Sequence, residues 1–381
     1  MLSSEAKKTN IATILYLYFS LGIILWPLVF RERTAEYHNI YLAITPFIIA
    51  IFYLLTKKIK KEFTKLAICG AGYTVLVASI NLYSYIYLLS DILKIIMILS
   101  CIFLMQETAA SNKAKKTTLL ILVVFYATNI ALSFFGSFYY ETTDGRMKFL
   151  GLIENANLNS YTWLLSAIYI STTIKRSSKA IFTIFLWGSF FYIYHTSQTK
   201  SLFLAVPFLC ALTLNTNYSI RNTWIAYACP IIMLLIIGQA DILERAWIAI
   251  TGLSSDDSFK TRLAIYQAFE LEISKNLYVL PAGVGYSQAV LDRFSEKLPA
   301  HNDILKYYLD YGVIFALFLG FLLKKLIIKD NSILLLLFGV FVLSSALHNN
   351  LLSIFIIPLS AMTAQAVAIK SINKQSSTTN Q

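Results

Sequence analysis

Thr117-Thr118-Leu119-Leu120-Ile121-Leu122-Val123-Val124-Phe125-Tyr126-Ala127-Thr128-Asn129-Ile130-Ala131-Leu132-Ser133-Phe134-Phe135-Gly136 is an uncharged run entered through Lys113, Lys115 and Lys116. A hydrocarbon core about 30 Å thick takes about 20 such residues as a helix. The run is continuously apolar, whereas barrel strands alternate, so it reads as a helix. Comparable runs cover 11–30, 39–56, 66–81, 84–105, 157–173, 180–196, 201–214, 223–239, 304–323, 332–347 and 351–369. The expected fold is all-α: a polytopic membrane protein with about twelve transmembrane helices, forming a single membrane domain over 1–381.

Composition agrees. The 381 residues are 57% hydrophobic and only 14% charged, with a mean hydropathy of +0.64, outside the range of a soluble domain. The net charge of +12 is not a nucleic-acid footprint, because the basic residues sit in short clusters between apolar runs. Membrane lipids are the expected surroundings, and no nucleic acid is expected as a partner. Cys69, Cys101, Cys210 and Cys229 lie in or beside apolar runs without a CxxC pair, so neither a disulfide framework nor a metal is inferred. The first apolar run lacks a small-residue cleavage site and reads as a retained helix.

Lys and Arg set the orientation. With the N-terminus cytoplasmic, Lys7/Lys8, Lys57/Lys58/Lys60/Lys61/Lys65, Lys113/Lys115/Lys116, Lys175/Arg176/Lys179, Arg221, Lys324/Lys325/Lys329 and Lys370/Lys374 all fall inside. The short outer connections hold only Arg31, Arg33, Arg146, Lys148 and Lys200. Both termini are then cytoplasmic. The longest outer connection, 240–303, is an extracytoplasmic loop inserted between transmembrane helices 9 and 10. It carries helical periodicity over 241–252 and 260–272, and Leu280-Pro281-Ala282-Gly283-Val284-Gly285-Tyr286 marks a turn. Ordered loops of this length are usually functional. The tail at 375–381 is polar and reads as disordered.

The candidate chemistry lies on the outer side. In Pro299-Ala300-His301-Asn302-Asp303, His301 can take a proton from a hydroxyl or contact an anionic leaving group. Its ordinary alternative is an interfacial His at a helix start, with Asn302 or Asp303 as the N-cap. Lys200 opens one apolar run and Arg262 opens a loop helix. Cations at membrane helix ends usually snorkel, yet two on one side would suit a pyrophosphate, which Arg grips better than Lys. The stretch Asp144 to Asn159 holds Arg146, Lys148 and alternating Asn155, Asn157 and Asn159. Those amides can hold sugar hydroxyls or cap the following helix, and capping is the commoner role. Asp91 and Lys94, three apart on one helix face, are either a self-compensating buried pair or an ion relay. His348, in His348-Asn349-Asn350, is a tight turn or a substrate contact.

At Gln198-Thr199-Lys200, Arg262-Leu263-Ala264-Ile265-Tyr266 and His301-Asn302 with Gly312 downstream, the chain resembles the O-antigen ligase and polymerase superfamily of bacterial envelope enzymes. The resemblance covers most of the C-terminal two thirds and includes the glycine-rich stretch before Asn157 and Asn159. It implies an inner-membrane glycosyltransferase of the GT-C kind with a periplasmic active site. Such enzymes transfer an oligosaccharide from an undecaprenyl-pyrophosphate donor without metal or other cofactor. The acceptor is a lipid-linked repeat unit in a polymerase or lipid A-core in a ligase. A chain-length regulator is a further implied partner, and the polymerase is favoured. By the resemblance Arg262, helped by Lys200, holds the pyrophosphate, and His301 orients or deprotonates the attacking hydroxyl. Asn302, Asp303, Arg146, Asn157, Asn159, Gln198 and His348 are the candidate substrate contacts. Related enzymes have Arg where this chain has Lys200. A transporter or flippase is the reading from another class; it predicts two related halves with broken helices and several intramembrane charges. A structural membrane partner would leave the one-sided clustering of His301, Arg262 and Lys200 unexplained.

Overall fold

A computed structural model describes residues 17–25, 44, 48, 61–107, 112–142, 145, 147–174, 178–199, 202, 205–214, 245, 257–275, 280–293, 303–318, 359 and 362–363. Helices dominate them, as the uninterrupted apolar runs require. In chain order they are α1 (Lys61–Ile80), α2 (Tyr85–Glu107), α3 (Asn112–Leu132), α4 (Ala156–Ile174), α5 (Lys179–Ser197), α6 (Val206–Leu214), α7 (Asp257–Lys275), α8 (Tyr286–Arg293) and α9 (Asp303–Tyr311). Between α3 and α4 lies a two-stranded antiparallel hairpin, β1 (Tyr139–Glu141) and β2 (Met147–Phe149). The sequence patterning had shown only a polar connection there.

The first five helices fall close to the apolar runs at 66–81, 84–105, 117–136, 157–173 and 180–196, while α6 takes only the second part of 201–214. Among the described residues one window, Lys115–Leu132 of α3, is long and apolar enough to cross a membrane by length and composition. The described residues are thus mostly helical, and they do not establish a count of twelve spans. One expected span is corrected: 304–323 is not one continuous helix. α9 ends at Tyr311 because Gly312 adopts φ +68° and donates its N–H to the Tyr308 carbonyl at 2.7 Å, a left-handed C-terminal stop. Helix resumes at 313–318. The runs at 223–239 and 332–347, and most of 11–30, 39–56 and 351–369, lie outside the described residues.

α3, α4 and α5 pack in sequence. Asn129, near the end of α3, meets Asn159, near the start of α4, and Trp163 of α4 meets Tyr192, near the end of α5. Each neighbouring pair is therefore antiparallel, and α3 and α5 are parallel. The hydroxyl pairs Tyr126–Ser189 (2.7 Å) and Ser133–Tyr192 (2.6 Å) lie between those two helices. Lys115 and Lys116 of α3 and Lys179 of α5 consequently share one end of the bundle. The hairpin, Asn155 to Asn159 and Gln198 share the other.

α4 is buried along most of its length, polar residues included. Thr162 and Ser166 donate to carbonyls one turn back, at 2.8 Å each, so their hydroxyls need no solvent. The large apolar side chains that remain exposed include Ile68, Val75 and Leu76 on α1, Ile86 and Leu89 on α2, Leu120, Val123 and Val124 on α3, and Ile181 and Ile184 on α5. Apolar side chains thus lie both inside the bundle, where Leu122, Leu164, Ile168 and Leu186 are buried beside the α4 hydroxyls, and on its outer face.

A second assembly joins the loop to the α1–α2 pair. Val284 forms a parallel bridge with Leu82: the Val284 N–H donates to the Asn81 carbonyl (3.1 Å) and the Tyr83 N–H to the Val284 carbonyl (3.0 Å). The expected turn at 280–286 is therefore also a tie between chain segments. Gly283 has φ +129°, and a Cβ there would stand 2.6 Å from the Asn81 carbonyl oxygen. Gly283→Ala is expected to lower stability by about 1–3 kcal/mol. Gly72→Ala, in open space on α1, should be neutral or raise it by up to about 1 kcal/mol. Thermal unfolding in one detergent compares the two, and equal melting shifts would remove the tie.

Candidate functional site

The end of α3–α5 opposite the lysines gathers several of the candidate residues. Asn155 precedes α4 and accepts the Leu158 N–H at 3.0 Å, so this asparagine is the N-cap. Asn157 is the second residue of α4, half-buried, and its Oδ1 accepts from the Thr199 hydroxyl at 3.5 Å. Asn157 thus comes beside the residue that directly precedes Lys200. Asn159 is fully buried; its amide nitrogen donates to Asn129 Oδ1 at 2.9 Å, and its own Oδ1 has no hydrogen-bond partner. Asn129 also accepts the Leu152 N–H at 3.2 Å, which locks the 150–155 turn over this pair. Gly151, at φ +66°, leaves the space the Asn159 amide occupies. Gln198 ends α5 at φ 53°, donates its backbone N–H to the Tyr194 carbonyl, and returns its side-chain amide to the His195 carbonyl at 2.7 Å. Above the turn, Tyr139 donates to the Ser133 carbonyl at 2.8 Å. Burial, with Tyr192 nearby, pushes its phenol above the usual range.

The second gathering lies between α2 and α9. Asp91, 2% exposed, accepts the Tyr307 hydroxyl at 3.3 Å and the Tyr311 hydroxyl at 2.7 Å, one on each carboxylate oxygen. The two tyrosines are four apart, so they share a face of α9 and their rings stack. Lys94 reaches the Tyr307 hydroxyl at 3.5 Å. It is attracted to Asp91 and Asp303 and repelled by Lys306. The Lys306 ammonium lies 5.3 Å from the Tyr87 ring centre and 5.0 Å from that of Tyr307, within cation–π range. Asp310 is fully buried; Oδ1 accepts the Ser287 N–H at the start of α8 (2.7 Å), a favourable place for a carboxylate. Its Oδ2 has no hydrogen-bond partner.

This arrangement sets Asp91 and Lys94 in a wider network. They do not form a closed pair: the carboxylate takes two phenols from a helix more than two hundred residues away, and the lysine shares one of them. Tyr307, Tyr311, Lys306 and Asp310 were not singled out in the sequence. The four-residue tyrosine spacing was a signal, but nothing local indicated what it faced.

Of the other candidates, Asp303 opens α9 and is buried. Arg262 lies in α7, where the helix backbone is described and this side chain is not. His301, Asn302, Lys200, Arg146 and His348 lie outside the described residues. α7 is tied to α8 by Glu272, which accepts the Tyr286 hydroxyl at 2.7 Å and lies 3.9 Å from Arg293. α8 is tied to α9 by Asp310. No family model, curated protein or solved structure matches this chain.

The Asp91 carboxylate can orient α9 through two phenols, and its removal would leave those hydroxyls without this acceptor and both lysines with one fewer attracting charge. Tyr311→Phe is expected to cost about 1.5–3 kcal/mol, the range for a hydrogen bond to a charged group. Asp91→Ala should cost about 3–5 kcal/mol, the range for breaking a buried ionic contact. The double variant should lose less than the sum of the two, because they share one interaction. Denaturation of the detergent-solubilised protein measures all three, and strict additivity would mean the hydroxyl and carboxylate are not coupled.

Proposed function

We propose that this chain is a polytopic membrane glycosyltransferase. It would transfer an oligosaccharide from an undecaprenyl-pyrophosphate donor to an acceptor sugar at the periplasmic face of the bacterial inner membrane. The acceptor would be a second lipid-linked repeat unit, which makes the reaction O-antigen polymerisation; transfer to lipid A-core, the ligase reaction, is the alternative. The observation that carries the reading is the order α7–α8–α9. Glu272 binds α7 to α8, Asp310 binds α8 to α9, and α9 begins directly after His301-Asn302. The helix bearing Arg262 and the helix that His301 leads into therefore belong to one packed unit.

Two observations support the membrane setting. Only 28% of the Lys115–Leu132 window is buried, whereas the core helix of a soluble protein hides most of its surface. The lysine-led ends of α3 and α5 also coincide, as a positive-inside orientation requires of alternate helices. A full set of twelve spans with both termini cytoplasmic extends this pattern along the chain.

In the reaction, the glycosidic bond to the diphosphate breaks and one to the acceptor oxygen forms. Arg262, with Lys200, would hold the diphosphate and stabilise the charge that develops on it. His301 would take the proton from the acceptor hydroxyl, with Asn302 and Asp303 beside it. Asn157 and the Gln198-Thr199-Lys200 turn would form a second wall for the sugars, with Arg146 and His348 as further contacts. One observation favours the transporter reading instead: charged groups from α2 and α9 meet in the interior, next to a helix interrupted at Gly312.

Three experiments separate these readings. His301→Ala and Arg262→Ala are each expected to abolish glycan transfer while membrane levels persist; full activity in both would remove the site. In lipopolysaccharide from a deletion strain, one repeat unit on the core indicates a lost polymerase and a bare core a lost ligase. An unchanged ladder rejects both. An impermeant maleimide should label Ser137→Cys from outside and Lys116→Cys only after permeabilisation; the reverse pattern would invert the topology.

A further inference from the structure

The corner between α3 and the hairpin carries two large apolar side chains that the fold does not use. Phe134 is 77% exposed and Phe135 59% exposed, and Met147 on β2 is also exposed. The inner side of this corner is already filled. The Tyr139 and Phe149 rings, paired across the hairpin, pack together, and Phe149 packs against Trp163. The Tyr139 hydroxyl then fastens β1 to the Ser133 carbonyl. The phenyl groups that follow Ser133 are left outside the packed core.

Their position along α3 indicates what they meet. α3 carries Lys115 and Lys116 near its start, continues through the outward-facing Leu120, Val123 and Val124, and reaches this corner directly after Leu132. From Lys116 to Leu132, where α3 ends, the helix rises roughly 24 Å at about 1.5 Å per residue, most of a bilayer core about 30 Å thick, and the turn at 133–135 carries the phenyls beyond it. One end of the helix is therefore cationic and the other carries apolar rings, so Lys can reach the headgroups at one interface and the phenyls can enter the headgroup–acyl boundary at the other. The exposed phenyls also continue the apolar face of α3 without a break.

We infer that Phe134 and Phe135 form an interfacial anchor that seats the hairpin on the headgroup–acyl boundary of the outer leaflet. The occupant of this surface is lipid. The anchor fixes the height of the 150–155 turn and of Asn155 to Asn159 above the bilayer, because hairpin, turn and α4 are joined through Asn129 and Trp163. The inference rests on the membrane setting proposed above and not on the glycan chemistry.

The test uses the full chain in phosphatidylethanolamine–phosphatidylglycerol vesicles, with the photoreactive p-benzoylphenylalanine replacing Phe134, Phe135 or, as a control, the exposed Glu141 on β1. After irradiation, mass spectrometry is expected to find lipid adducts at 134 and 135 in roughly fivefold or greater excess over 141, as an interfacial depth requires. Equal yields at the three positions overturn the anchor, as do adducts formed mainly with a second copy of the chain. A chain that does not float with the vesicles overturns the membrane setting as well, which separates the two failures.

Discussion

A carboxylate withdrawn from water sets the position of everything attached to α9. A nine-residue helix does not hold its own shape or direction in isolation, so its placement comes from outside: from Asp91 through two phenols, from Tyr73, which donates to the Tyr311 carbonyl at 2.7 Å, and from the Ala282 and Gly283 N–H groups, which donate to the Leu309 and Asp310 carbonyls. The last two contacts serve carbonyls that any helix end leaves without an internal partner. A buried charge is costly unless it is hydrogen-bonded and balanced. Here Asp91, Asp303 and Asp310 are set among Lys94 and Lys306, so the charge that orients α9 is itself compensated.

The same constraint joins two parts of the molecule. The loop between Leu280 and Gly285 threads between the α1–α2 turn and the end of α9, and only residues without a Cβ fit at 283 and 285. Displacing α9 would withdraw the carbonyls that hold this loop, and α8 with it, because Asp310 supports both the α9 end and the α8 start. The Arg262-bearing helix is thus mechanically linked to a buried aspartate on α2.

At the α3–α5 bundle the governing constraint is different. Its interior combines aliphatic side chains such as Leu122, Leu164, Ile168 and Leu186 with aromatic faces around Trp163 and hydroxyl pairs between α3 and α5. Serine and threonine side chains in α4 satisfy their own backbone, which lets a helix rich in polar atoms lie fully buried. The asparagine pair Asn129–Asn159 closes the end of this bundle. That is why Asn159 is interior, whereas Asn157, two residues earlier and on another face, meets Thr199.

Much of the helical part was legible because it depends on local information. Apolar run length placed α1 to α5 within a few residues at most ends, the asparagine series announced an N-cap that Asn155 supplies, and Gly283 and Gly285 announced a turn. The lysine clusters stated which helix starts share an end, and the α3–α5 arrangement agrees. Tertiary structure alone decided the rest. The hairpin at 139–149 is held by its packing on Trp163, a residue that follows it in the chain. The stop at Gly312 inside an apolar run needed a left-handed backbone that composition does not announce. Asp91 meets Tyr307 and Tyr311 across 216 and 220 residues. Periodicity reports which residues share a helix face, but the partner of that face is set by packing between distant segments, and no local pattern records it.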